Sequence, residues 1–190
     1  MPVETIVLTV LLGVLLAYGV LLYNGLVSLK HNVRRAWANI DVLLKQRHDE
    51  LPKLVEVCRQ YMRHEQDTLA RVTEARASVF AANQRNDVAG VGAGESALRA
   101  GLGQLYAVAE NYPELKADDQ FRHLRDRVTS LENSIADRRE YYNEAVTLNN
   151  IRIETFPDVL VARWFGFGAH TLLEFGAEEK RDVDLGALFN

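Results

Sequence analysis

From Thr5 to Leu29 the chain carries no charged side chain, and Ile6 to Leu22 is almost wholly Ile, Val, Leu, Ala and Gly. A bilayer core takes about 20 apolar residues of helix, because every backbone polar group there must be satisfied inside the segment. The stretch reads as a transmembrane helix. A secretory signal would open on a basic region, whereas this chain opens Met1-Pro2-Val3-Glu4, and no small-residue cleavage site or lipid-acceptor Cys follows. An uncleaved anchor is expected. Basic residues beside a span are retained in the cytoplasm. Lys30, Arg34, Arg35, Lys45 and Arg47 follow the span, and only the amino terminus and Glu4 precede it. The expectation is a single-pass protein of the inner membrane with its helical domain cytoplasmic. Gly13 and Ala17 form a small-xxx-small pair that would let two anchors approach closely.

Beyond the anchor, apolar residues recur in steps of three and four: Val33, Trp37, Ile40, Leu44, then Leu51, Leu54, Cys58, Tyr61, and on to Val72 and Val79. This is helix period. The phase runs on through Pro52, which leaves open a continuous kinked helix or one that ends and restarts there. Asn83 to Asp87 and the glycine-rich Gly90-Val91-Gly92-Ala93-Gly94 are read together as a flexible loop. A shorter helix carrying Leu98, Leu102, Leu105 and Ala109 is expected to stop at Tyr112-Pro113, since the residue before proline avoids helical geometry. A last long helix carries Phe121, Leu124, Val128, Leu131, Ile135 and Tyr142, and Pro157 ends or kinks it. A short apolar piece, Val159 to Phe167, and a polar tail with Glu178 to Asp182 close the chain.

The fold class expected is all-α: an N-terminal transmembrane helix followed by an elongated antiparallel, up-and-down bundle of about four helices. The divisions are a short extracytoplasmic tail at 1–4, the span at 5–29, the bundle at 30–167 and a C-terminal tail at 168–190. Lys30 to Ala82 would measure about 80 Å as one helix, and the later helices would return as far. That path brings Trp164, Phe165 and Phe167 back toward the membrane, either at the bilayer interface, where Trp is common, or as a cap on the bundle core. Arg47, Glu65, Arg138, Asn149 and Arg152 fall in seam phase, where a polar residue fixes register.

Chemistry is sparse. Cys58 is the single cysteine, so neither an internal disulfide nor a thiolate metal site is available. Its seam position reads as core packing. None of the five His residues has a Glu three positions before it, and His64-Glu65 lacks the later His of the zinc-protease helix. The glycine run lacks the preceding strand of a phosphate loop. No catalytic, cofactor-binding or metal-binding residues are therefore assigned, and no cofactor. An enzyme would have to draw on an unrecognised group such as Tyr141, Tyr142, Glu132 and Arg139. The net charge of −4 and pI near 5.8, without a clustered basic face, exclude nucleic acid as the expected partner.

Several blocks of the sequence resemble the LemA family, in order and over nearly the whole length. They are Tyr23-Asn24-Gly25-Leu26-Val27; Ala36-Trp37-Ala38-Asn39-Ile40-Asp41; Lys45 through Glu56; Glu110-Asn111-Tyr112-Pro113 through Ala117; Leu131-Glu132 through Arg139-Glu140-Tyr141-Tyr142-Asn143; and Phe156-Pro157. The resemblance implies an anchored antiparallel helical bundle with no established enzymatic activity, and a magnetosome-associated relative among the members. Leu148-Asn149-Asn150 departs from the second Tyr-Asn of many members, and the lipoprotein signal of some is missing. The function expected is a non-enzymatic scaffold or adaptor. Its expected partners are the lipid bilayer, further copies of itself in a homo-oligomer, and a possible membrane-protein partner. The alternative is an accessory subunit of a membrane enzyme such as a quality-control protease.

Overall fold

The computed structural model describes residues 2–176 and is helical, with no strand among them. Helix α1 (Val3–Tyr61) runs 59 residues and passes straight through Pro52. Of the two readings of Pro52, the continuous helix is the one found. The break falls instead at residues 62–65, where α2 (Gln66–Gln84) begins. Helices α3 (Val88–Ala109), α4 (Pro113–Ala117), α5 (Asp119–Glu154) and α6 (Asp158–Phe165) follow. The four long helices α1, α2, α3 and α5 form the expected bundle class.

The glycine-rich segment corrects the sequence reading. Gly90 to Gly94 is not a loop but the first turns of α3. The turn itself is only Arg85 to Asp87, with Asn86 at φ 53°. Asp87 caps α3 by accepting a hydrogen bond from the Gly90 amide at 2.9 Å, the usual role of Asp at a helix start. The glycines serve close packing: a Cβ on Gly92 would lie 2.0 Å from the Glu174 carbonyl oxygen, and one on Gly94 would lie 2.9 Å from Val79.

The chain divides into two compact units, residues 2–38 with 140–171, and residues 39–139 with 172–176. In the first, the early part of α1 packs with the end of α5, burying Leu26, Val33, Tyr142 and Val146. Tyr142 lies 5.2 Å from the Trp37 ring and its hydroxyl donates to the Thr171 carbonyl at 2.9 Å. Asn150 holds the segment after α6 in both directions, donating to the His170 carbonyl and accepting from the His170 amide, each at 2.9 Å. Gly166, at φ 70°, ends α6 in the left-handed conformation that spares a glycine steric cost.

In the second unit Ile40, Leu54, Cys58, Val72, Leu105 and Val128 are among the side chains buried where α1, α2, α3 and α5 pack. Asp118 starts α5 by accepting from the Phe121 amide at 2.9 Å, and Tyr61 donates to its other oxygen at 2.9 Å. The Phe121 amide and the Tyr61 hydroxyl hold the Asp118 carboxyl below its ordinary range. Of the five polar seam residues, Arg47 and Asn149 are buried. Glu65 is half-buried, and Arg138 and Arg152 are exposed. The polar residues expected in the tail, Glu178 to Asp182, lie outside the described residues.

Candidate functional site

Two features stand out from ordinary packing, one in each unit. In the first, the apolar stretch of α1 has a mean hydropathy of 2.6 over an 18-residue window, and none of that window is buried. Leu8, Val14, Leu15 and Leu21 are all more than 60 % exposed. A core helix of a soluble protein hides such a surface; here nothing among the described residues covers it. At its end, Tyr23 meets Phe165 and Phe167 edge to face, with centroids 4.8 and 5.7 Å apart, and the Lys30 ammonium sits 5.9 Å from the Phe167 ring. Trp164 and Phe156 project outward at 85 % and 75 % exposure. The apolar surface of α1 is thus continuous with an aromatic group on and around α6, and Leu148 and Ile151 on α5 are exposed as well.

In the second unit a polar constellation follows from Pro52. A proline inside a helix has no N–H to give to the carbonyl four residues back, and that carbonyl belongs to His48. It is satisfied from another helix: Arg76 Nε on α2 donates to the His48 oxygen at 2.9 Å. The same guanidinium places Nη2 2.7 Å from His48 Nε2. The His48 ring stacks on Phe80 at 4.3 Å. Burial and the neighbouring Arg76 charge hold the His48 pKa below its ordinary value. Beside this group is a cavity of ≈ 190 Å³, walled by Leu44, Leu51, Val79, Phe80 and Leu98 and edged by Asp41, Lys45, Arg47, His48, Arg76, Asn83 and Gln84.

Arg47, 3 % exposed, donates to Glu95 on α3, which is 4 % exposed. Burial pushes the Glu95 carboxyl above its ordinary range, while the charges of Arg47 and Arg99 pull it back. Glu132 on α5 is likewise raised by burial and opposed by Arg47 and Arg99. The sequence marked Arg47 as a seam charge but named no partner; Glu95 lies 48 residues away. The signal for Arg76 in the sequence is Pro52 alone: a mid-helix proline calls for an outside donor at the carbonyl it leaves unpaired.

The side chains considered for an unrecognised enzyme site have these surroundings. Tyr142 donates to Thr171, the Arg139 guanidinium lies 4.1 Å from the Phe175 ring, Glu132 faces arginines, and Tyr141 is 62 % exposed. Cys58 is fully buried, and burial pushes its thiol up to about 12. Among the described residues no group of three or more His, Cys, Asp or Glu is placed to hold a metal.

The LemA family pattern matches residues 36–185, most of the chain. The chain belongs to the LemA family. It is 25 % identical to magnetosome protein MamQ 2 of Paramagnetospirillum magneticum, over 87 % of this chain and 70 % of that protein. It is also 25 % identical to protein LemA of Metamycoplasma hominis, over 88 % of this chain and 75 % of that one. A third relative, magnetosome protein MamQ of Magnetospirillum gryphiswaldense, is 22 % identical over 76 % of this chain and 62 % of its own length. None of the three is named for a reaction. Family membership and the exposed apolar helix together give the chain a membrane-linked role.

Proposed function

We propose that this LemA-family chain is a membrane-anchored, non-enzymatic scaffold that assembles with copies of itself in the inner membrane, its helical domain on the cytoplasmic side. The observation that carries this reading is the uncovered apolar surface of α1 running into the aromatic group of α6 through Tyr23, Phe165 and Phe167. Aromatic rings with a cation beside them suit the headgroup level of a bilayer, and Lys30 sits beside the Phe167 ring. The basic flank from Lys30 to Arg47 supports the cytoplasmic orientation. Exposed Leu148 and Ile151 on α5 supply an apolar strip for a second copy.

The test is the mass and composition of the complex extracted gently from native membranes. A homomeric particle of defined mass supports the scaffold. A second, polytopic protein in fixed ratio replaces it with an accessory subunit of that protein. Trp164 fluorescence in vesicles is expected to be quenched by lipids brominated near the headgroup; insensitivity to them would remove the interfacial role of α6.

A further inference from the structure

The cavity beside His48 has an electrical and hydrogen-bonding character that no part of the scaffold reading requires. An arginine only donates, so the Nη2 of Arg76 facing His48 Nε2 at 2.7 Å makes that ring nitrogen the acceptor. In the neutral ring the proton then sits on Nδ1. That Nδ1 is buried and has no hydrogen-bond partner among the described residues. A buried donor left unsatisfied is costly, and that sets His48 apart from an ordinary packed histidine. The ligand chemistry of the cavity follows from its charge and its wall. Lys45, Arg47 and Arg76 edge the cavity against one carboxylate, Asp41, which already accepts from Asn83 Nδ2 at 2.6 Å. Glu95 offsets Arg47, so the edge is left with one positive charge in surplus. The remaining wall is aliphatic and aromatic.

We propose that this cavity binds a small organic monoanion, a carboxylate carried on an apolar body. Lys45 and Arg76 receive the carboxylate, and Leu44, Leu51, Val79 and Leu98 receive the body. A cavity of about 150 Å³ holds a benzene ring, so ≈ 190 Å³ suits a ligand of roughly six to ten non-hydrogen atoms. Pro52 has a part in this site: by freeing the His48 carbonyl it fixes Arg76 at the cavity edge.

The probe is 4-fluorobenzoate, observed by fluorine NMR with the full chain in lipid nanodiscs and empty nanodiscs as the blank. Line broadening above the blank is expected, reversed by excess benzoate. Lys45→Glu and Arg76→Gln are each expected to weaken binding on the order of tenfold or more, as loss of a charge-assisted contact does. Lys45 is exposed, so Lys45→Glu is the variant expected to keep the fold, checked by an unchanged circular dichroism spectrum. Broadening no greater than the blank overturns the proposal, as does broadening untouched by both variants. Equal binding of neutral 4-fluorobenzamide overturns the anionic head, and competition by inorganic phosphate as strong as by benzoate overturns the apolar body.

Discussion

Replacing Glu95 with Leu removes the carboxylate hydrogen-bonded to Arg47 and leaves its guanidinium 3 % exposed, with only the more distant charge of Glu132 opposing it. A buried charge stripped of its partner costs about 3 to 5 kcal/mol. For a domain of this size each kcal/mol moves the midpoint by about 2 to 4 °C, so Glu95→Leu is expected to lower Tm by roughly 6 to 20 °C. The double variant Arg47→Met with Glu95→Leu removes both charges and fills the space with apolar atoms, an exchange that is often neutral or even stabilising by about 1 to 4 kcal/mol. Thermal unfolding of the full chain in one detergent, followed by far-ultraviolet circular dichroism, compares the three proteins. The expected order is a wild type and double variant melting close together, with the single variant well below both. A Glu95→Leu protein that melts with the wild type would refute the argument, because Arg47 would then have no need of its partner. A double variant as unstable as the single would show that packing around Glu95, not charge pairing, carries the effect.

Gly92→Ala drives a Cβ against the Glu174 carbonyl and is expected to destabilise by about 1 to 3 kcal/mol, whereas Gly13→Ala, with nothing within 4 Å, leaves the melting curve unchanged; paired melts check both. Cys58, buried and with its thiol pushed up to about 12, is expected to resist iodoacetamide at neutral pH in the native protein and to react once denatured, read by intact mass. His48 has a folded pKa below 6.5, so its neutral ring costs nothing well above that value, and the fold loses stability as pH falls through 6.5 toward the folded pKa. Glu95 and Glu132, both raised, act with the opposite sign as pH falls. The readout is therefore the difference between proteins: from about pH 7.5 to 5.5, wild-type Tm is expected to fall further than that of His48→Gln, and parallel curves would contradict it.

The apolar N-terminal helix, the helical periods and the fold class are legible because each is a one-dimensional pattern: a charge-free run, or a period of three and four. Leu44, Leu51, Leu54 and Cys58 are buried as that period requires. Period alone did not show what lies opposite a residue. Glu95 as partner to Arg47, and Arg76 as donor to His48, depend on α1, α2 and α3 converging over 48 and 28 residues of chain. The end of α1 was placed at or beyond Pro52 without the break at residues 62–65, which lies inside an otherwise unbroken apolar phase. The glycine run was misread for a physical reason: glycine is a poor helix former by about 1 kcal/mol relative to alanine, and intrinsic preference argued for a loop where packing dictated a helix.

That last point sets an order of events for the chain. Helix α3 contains Gly90, Gly92, Gly94, Gly101 and Gly103, which together cost it on the order of 4 to 5 kcal/mol of intrinsic helicity. Alone in water this segment would be coil. It becomes a helix on meeting α2, where the backbones at Gly94 and Gly101 come within reach of Val79 and Val72. Helix α2 carries no glycine and can begin to wind before that encounter. A newly made chain would therefore hold the apolar N-terminal helix and α2 as helices while α3 stays unwound backbone, finished only by docking, and in the native protein the amides of α3 are expected to exchange at the rate at which that docking comes undone.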